Sequence, residues 1–279
     1  MILGVDAGGT YLRAELYKGE KLVSRFQKKS AQIALSAFLE SIIQEHEGIE
    51  GIGISYAGQV HKGVILGAPN IKVDEANIAA YFKSRYGIEL FIENDLNCAV
   101  LAEASACESE DICALYVGTG IGLGAISGGR LIRGAWSVAT EVGHIPYKKA
   151  PFVCGCGRDN CLELYASGSG LAKWLEYYDL EPAMTLESLQ KSEDSHAKIV
   201  YENFIEALLF GCGTTVTLLN PSVLVLGGGI IEANPWLCDI IKRGVGEVAL
   251  GGSLLHLQIK QTSLQNAPLR GALLLKDYQ

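Results

Sequence analysis

Apolar and polar positions alternate with two different periods along this chain, and the changes of period mark its elements. Ile2–Val5 is an unbroken apolar run that ends in Asp6-Ala7-Gly8-Gly9-Thr10, and Leu12–Tyr17 follows as a second strand with Gly19 as its turn. Ala34–His46 switches to a helical period through Leu35, Phe38, Leu39, Ile42 and Ile43. The pattern then predicts a strand over Gly51–Tyr56, a helix over Asn77–Tyr86 and a strand over Glu89–Ile92. Glu93-Asn94-Asp95 leads into Leu96–Ala106, a helix by propensity. Ile112–Val117 is a further apolar run, ending in Gly118-Thr119-Gly120-Ile121-Gly122, and Leu123–Ile126 returns before Gly128-Gly129. Helical patterns cover Gly170–Tyr178 and Ala197–Leu219. Pro221–Leu226 is a strand entering Gly227-Gly228-Gly229, and Pro268–Lys276 is a last short helix. Strands alternating with helices indicate the α/β class.

The plan of strand, glycine-rich turn and strand occurs twice, with Gly8 and Gly118 opening the two turns. It reads as a faint internal duplication; two unrelated hairpins are the alternative. A boundary near residue 108 follows, since Glu108–Asp111 is the most polar stretch between the halves.

With 279 residues, 49% of them apolar and 19% charged, the chain has the make-up of a globular protein with a sizeable core. The net charge of −8 and the lack of any Lys/Arg-rich run argue against a nucleic-acid partner, because gripping a phosphate backbone needs a basic face. MILGVDAGGT opens directly on a strand pattern, without the basic start and cleavage site of a signal peptide. No apolar stretch reaches membrane-spanning length. The expectation is a cytoplasmic protein with no membrane partner.

Of the eight cysteines, Cys98, Cys107, Cys113, Cys212 and Cys238 lie scattered in apolar surroundings, as buried small hydrophobes do. Cys154, Cys156 and Cys161 crowd together, ten to seventeen residues beyond His144. One His and three Cys make a plausible closed tetrahedral zinc set, structural in kind because protein fills every position. A loop with buried thiols is the alternative. Such a zinc would pin Glu141 and Glu163, which flank the ligands, near each other.

Asp6-Ala7-Gly8-Gly9-Thr10 and Gly118-Thr119-Gly120 each follow a strand. Glycines there let backbone N–H groups approach an anion, and Asp6 can hold Mg²⁺ through water. Two such turns could grip a triphosphate together; singly, each could be an ordinary hairpin. Asn94-Asp95 sits at a strand-to-helix junction. Capping explains it, as does a carboxylate that accepts the proton of an incoming hydroxyl in phosphoryl transfer. Gly227-Gly228-Gly229 fits either a tight turn or close backbone approach to a flat ligand.

Together these segments resemble the ROK family of repressors and sugar kinases. Asp-x-Gly-Gly-Thr, Ala68-Pro69-Asn70, Glu93-Asn94-Asp95-x-Asn97, Gly118-Thr119-Gly120, Glu141-x-Gly-His144, the Cys154–Glu163 run, and Asn220-Pro221 followed by Gly227-Gly228-Gly229 carry the likeness over nearly the whole chain. The resemblance implies an actin-like ATPase fold of two ribonuclease-H-like domains with a cleft between them. Residues 1–108 would form the first and 109–267 the second, which holds the zinc loop, with the helix over 268–279 packing back on the first. It implies a homodimer that takes a hexose and ATP, with Mg²⁺ and structural Zn²⁺.

By carry-over, Asp95 is the general base on the sugar's primary 6-hydroxyl. Asn70, Asn94, Glu141, His144 and Glu163 hold the sugar. Asp6, Gly8, Gly9, Thr10, Gly118, Thr119 and Gly120 surround the phosphates and Mg²⁺, and Gly228 the nucleoside. His144, Cys154, Cys156 and Cys161 bind zinc. Glucose leads among the substrates; allose, fructose, mannose and N-acetylhexosamines are the alternatives, and a non-catalytic sugar-binding or regulatory protein is the alternative of another class. Three positions depart from the family's usual wording: Ala57 before Gly58 instead of Pro, Thr140 where glucokinases often have Gly, and Asn160 where Gly is common.

Overall fold

The computed structural model describes residues 1–67 and 70–278, so Ala68-Pro69 of the Ala-Pro-Asn motif lies outside the described residues. Two compact units result. One comprises Met1–Glu108, Arg130–Ala139 and Leu264–Gln279; the other comprises Ser109–Gly129 and Thr140–Ser263. The short segment Arg130–Ala139, which the sequence reading gives to the second domain, clusters with the first unit.

In the first unit, β1 (Ile2–Ala7), β2 (Tyr11–Lys18) and β3 (Lys21–Lys29) form an antiparallel meander. Helix α1 (Leu35–Glu45) leads to β4 (Gly51–Tyr56), which pairs with β1 in parallel. A small hairpin, β5 (Gln59–His61) and β6 (Val64–Gly67), precedes α2 (Ile78–Tyr86), β7 (Glu89–Asn94) and α3 (Asp95–Cys107). The sheet order is β3-β2-β1-β4-β7. Strand β2 buries Leu12, Ala14 and Leu16 and turns Arg13, Glu15 and Tyr17 to its other face. Strands β1 and β4 are apolar on both faces, as central strands covered on two sides must be. Strand β3 has no buried residue and carries Lys and Arg. That composition suits a sheet edge and hides it from a search for apolar runs.

The Ala267–Leu274 helix returns to this unit and packs on α3, β1 and β4. Glycine makes the approach possible: a Cβ on Gly53 would stand 1.9 Å from the Ala272 carbonyl oxygen, and one on Gly271 would stand 1.7 Å from that of Cys98.

The second unit repeats the plan. Strands β8 (Ile112–Val117) and β9 (Ile121–Ser127) are antiparallel, the Val223–Gly227 strand joins β8 in parallel, and Gln258–Gln261 joins that in turn. The two central strands, β8 and Val223–Gly227, again bury nearly every residue. Helices α4 (Gly168–Tyr177), α5 (Leu186–Lys191) and α6 (Ser195–Leu219) follow the cysteine loop. Asp194 caps α6 through the His196 and Ala197 N–H groups, and Asn220 ends it in the left-handed region at φ 44°. No helix among the described residues is long and apolar enough to cross a membrane.

Candidate functional site

Register sets one edge of the first sheet. Asp6 lies opposite Ser55 and Ser55 opposite Glu93; one residue further, Ala7, Tyr56 and Asn94 form the next row. Asp6 and Glu93 thereby share one row, with Asp95 two residues beyond Glu93 at the head of α3. Burial pushes Cys98 well up from its ordinary pKa, and the Glu93, Asp95 and Asp6 carboxylates push in the same direction. Burial raises the Asp6 carboxyl above its ordinary pKa, outweighing Arg13, whose Nη1 stands 3.4 Å from Asp6 Oδ2. The following turn is fastened by Ser30, whose Oγ donates to the Gly8 carbonyl at 2.6 Å and whose N–H donates to that of Thr10 at 3.0 Å. Gly8 and Gly9 are part-buried, and Thr10 is exposed.

Asn94 is the N-cap of α3. Its Oδ1 accepts the N–H groups of Leu96 at 2.9 Å and Asn97 at 3.3 Å, and its Nδ2 donates to the Gly58 carbonyl at 3.3 Å. The capping explanation therefore holds for Asn94. Asp95 follows as the first residue of the helix, half-buried, and its Oδ1 accepts the Leu96 N–H at 2.9 Å. Asn70 is exposed with a left-handed backbone at φ 69°, a conformation Asn tolerates.

One residue that sequence reasoning passed over anchors this turn. The Glu93 carboxylate, 7% exposed, accepts the Asn94 N–H at 2.9 Å, Asn97 Nδ2 at 3.0 Å and Arg133 Nε at 2.5 Å. An acid at a buried strand position was the available signal. Arg133, far along the chain, offered none.

In the second unit the Gly118-Thr119-Gly120 turn closes on itself, Gly118 N–H donating to the Gly120 carbonyl at 2.9 Å. The start of α4 backs it: the N–H groups of Gly168 and Ser169 donate to Gly118 and Thr119 at 2.8 and 2.9 Å. Glu163 bridges this turn and the cysteine loop. Its Oε2 accepts the Ile121 N–H and its Oε1 the Cys154 thiol, each at 3.4 Å. A Cβ on Gly120 would lie 2.5 Å from Glu163 Oε2, so the carboxylate would have to shift to admit one. Gly228 has φ 88°, and its Cβ would lie 2.5 Å from the Val117 carbonyl oxygen. The tight-turn explanation thus accounts for this glycine through packing against β8.

His144, Cys154, Cys156 and Cys161 present ligand atoms that all lie within 4.8 Å of one another. Cys154 Sγ stands 3.6 Å from His144 Nδ1, and Cys156 Sγ stands 3.3 Å from Cys161 Sγ. With metal–sulfur bonds near 2.3 Å, the edge of a tetrahedron is about 3.8 Å, so the donor set fits zinc in both chemistry and spacing. Backbone bonds hold the loop in this shape: Cys154 N–H to the Arg158 carbonyl at 2.7 Å, Leu162 N–H to that of Ile145 at 3.1 Å, and Tyr147 N–H to that of Asn160 at 2.7 Å. Asn160, where the family commonly has Gly, does not adopt the left-handed region that favours glycine. Thr140 does adopt that region, at φ 66°, which is the conformation a glycine would take at lower cost. Next to it, burial raises the Glu141 carboxyl above its ordinary pKa; His144 opposes the shift and Glu163 adds to it.

Comparison with known proteins fits these features. A family model described as "ROK family" matches residues 2–278. An N-acetyl-D-glucosamine kinase from Histophilus somni is 30% identical, over 82% of this chain and 84% of its own. The crystal structure of a ROK family glucokinase from Streptomyces griseus in complex with glucose and AMPPNP is 26% identical, with a TM-score of 0.75 over 99% of this chain and 99% of that one. A ROK family transcriptional regulator, a homolog of the E. coli MLC protein, shares the fold with a TM-score of 0.83 at 21% identity, over 99% of this chain and 78% of its own.

Proposed function

This chain belongs to the ROK family, and on that premise we propose that it is an ATP-dependent hexose kinase that phosphorylates the sugar's primary hydroxyl. The observation that carries the reading is Asp95, a half-buried carboxylate at the first position of α3, fixed by the neighbouring cap and by Glu93. Asp95 accepts the proton of the 6-hydroxyl as that oxygen attacks the terminal phosphoryl group, and its main contribution is alignment.

Asn70, Glu141, His144 and Glu163 hold the other sugar hydroxyls. Asn94 has already spent its carbonyl on the cap and offers a sugar only its remaining amide hydrogen. His144 commits Nδ1 to the cysteine set and keeps Nε2 for a hydroxyl. Asp6 with Gly8, Gly9 and Thr10, and Gly118-Thr119-Gly120, receive the phosphates; Gly228 borders the nucleoside. The Asp6 carboxyl, half-buried and only loosely met by Arg13, suits a hydrated Mg²⁺, which when bound neutralises phosphate charge. Zinc bound by His144, Cys154, Cys156 and Cys161 is structural. Residues 1–108 and 109–267 act as the two functional halves, and the protein works as a cytoplasmic homodimer.

Glucose is the leading substrate, supported by the likeness to a glucokinase, with N-acetylglucosamine next, supported by the likeness to its kinase. The test is ADP release across glucose, N-acetylglucosamine, N-acetylmannosamine, mannose, fructose and allose, with the phosphorylated carbon identified by NMR. Sugar-dependent release and a 6-phosphate product are expected; ADP release from none of these sugars would overturn the reading.

A second reading, a sugar-responsive regulator without turnover, draws on the fold shared with the MLC homolog. It predicts saturable sugar binding with no ADP formed.

A further inference from the structure

The base-bearing turn is held by a residue from a distant segment. Arg133 donates from Nε to Glu93 Oε2 at 2.5 Å and from Nη2 to the Tyr278 carbonyl at 3.3 Å. The other Glu93 oxygen accepts the Asn94 N–H at 2.9 Å and Asn97 Nδ2 at 3.0 Å. One carboxylate, 7% exposed, therefore joins Arg133 to the residues on either side of Asp95. The segment that carries Arg133 is itself fixed. Ala139 N–H donates to the Arg133 carbonyl at 3.2 Å, Ser137 Oγ stands 3.1 Å from His61 Nδ1, and Ser137 is left-handed at φ 57°. Trp136 lies against the His61 ring at 5.1 Å and stays 67% exposed. The same segment continues directly into Glu141.

We propose that Arg133 is a positioning residue for catalysis: by clasping Glu93 it fixes the orientation of the Asn94–Asp95 turn. Glu93 alone could cap the strand end, but an unpaired buried carboxylate would seek water and draw the turn with it. The clasp fixes it in place, and a loop that leads to a proposed sugar ligand becomes the support of the proposed base. This role rests on the kinase reading, because it is defined by what Asp95 does.

The test compares Arg133→Ala, Arg133→Lys and Glu93→Gln with wild type. Arg133→Ala lowers kcat by roughly one to two orders of magnitude, the usual effect of misplacing a reacting group by about an ångström, while the sugar KM changes little. Arg133→Lys recovers part of that rate. Free guanidinium recovers part of it in Arg133→Ala, because Arg133 and Glu93 line an open cavity of about 540 Å³. Glu93→Gln keeps an acceptor for the Asn94 N–H and drops the ion pair, so kcat falls while melting temperature stays near wild type. Wild-type kcat in a folded Arg133→Ala protein, or a rate loss that follows melting temperature and responds to neither lysine nor guanidinium, overturns the proposal. Failure of the kinase reading shows separately, as absence of sugar-dependent ADP release in the wild type.

Discussion

Glu163 Oε2 lies so close to Gly120 that a Cβ on the glycine would stand 2.5 Å from it, while Oε1 of the same carboxylate meets the Cys154 thiol at 3.4 Å. One side chain thus ties the glycine turn after β8 to the cysteine loop. Gly120→Ala pushes Glu163 Oε2 away from the Ile121 N–H. With Glu163 as the proposed sugar ligand, kcat/KM of the variant is expected to fall by about tenfold or more, with little change in melting temperature. Steady-state kinetics beside a thermal melt check it.

The four-ligand set should hold about one zinc per chain, measured by metal analysis of protein purified without added metal. Chelation or Cys161→Ala should cost stability on the order of a few kcal/mol, because a site absent from the unfolded chain couples binding to folding. A metal-free protein with unchanged stability and activity would contradict this.

Asp6 sets a pH dependence of stability. Its pKa is raised in the folded protein, so the fold binds that proton more tightly than the unfolded chain does. The contribution is fully present below the ordinary value of 3.8 and is lost as pH rises through the raised value. Asp6→Asn never ionises, so it should melt higher than wild type at neutral pH, with the difference vanishing toward pH 3.5. Arg13, part-exposed, loses little when its partner is neutral. Melting curves across pH test this, and a variant that melts lower at pH 7 would contradict it.

Gly271→Ala places a methyl where the Cys98 carbonyl oxygen already sits. Overpacking of this kind costs about 1–3 kcal/mol, and the stress falls on α3, which begins at Asp95. Denaturant melts should show the loss, with Gly252→Ala, where a Cβ would meet open space, as the milder control.

Much of this was legible in the chain itself. The apolar runs of β1, β4, β8 and Val223–Gly227 announce central strands because both their faces are covered. The cysteine cluster was legible because its candidate ligands lie on one loop and are close in sequence as well as in space. Edge strand β3 was not, since a half-exposed strand rich in Lys and Arg has no apolar signature. The Glu93–Arg133 pair was hidden for another reason: its partners are 40 residues apart and meet only through the tertiary fold. Asn94 and Gly228 were ambiguous as motifs, because a cap and a close backbone contact fix their local geometry independently of any ligand.

The most direct test of the central claim is turnover by Asp95→Asn, measured as sugar-dependent ADP release next to wild type, with sugar affinity measured separately by calorimetry. The account predicts that wild type turns over a hexose and that the variant binds it with similar affinity while kcat falls at least about a hundredfold, the scale of a lost general base. A variant with near-wild-type kcat would contradict it.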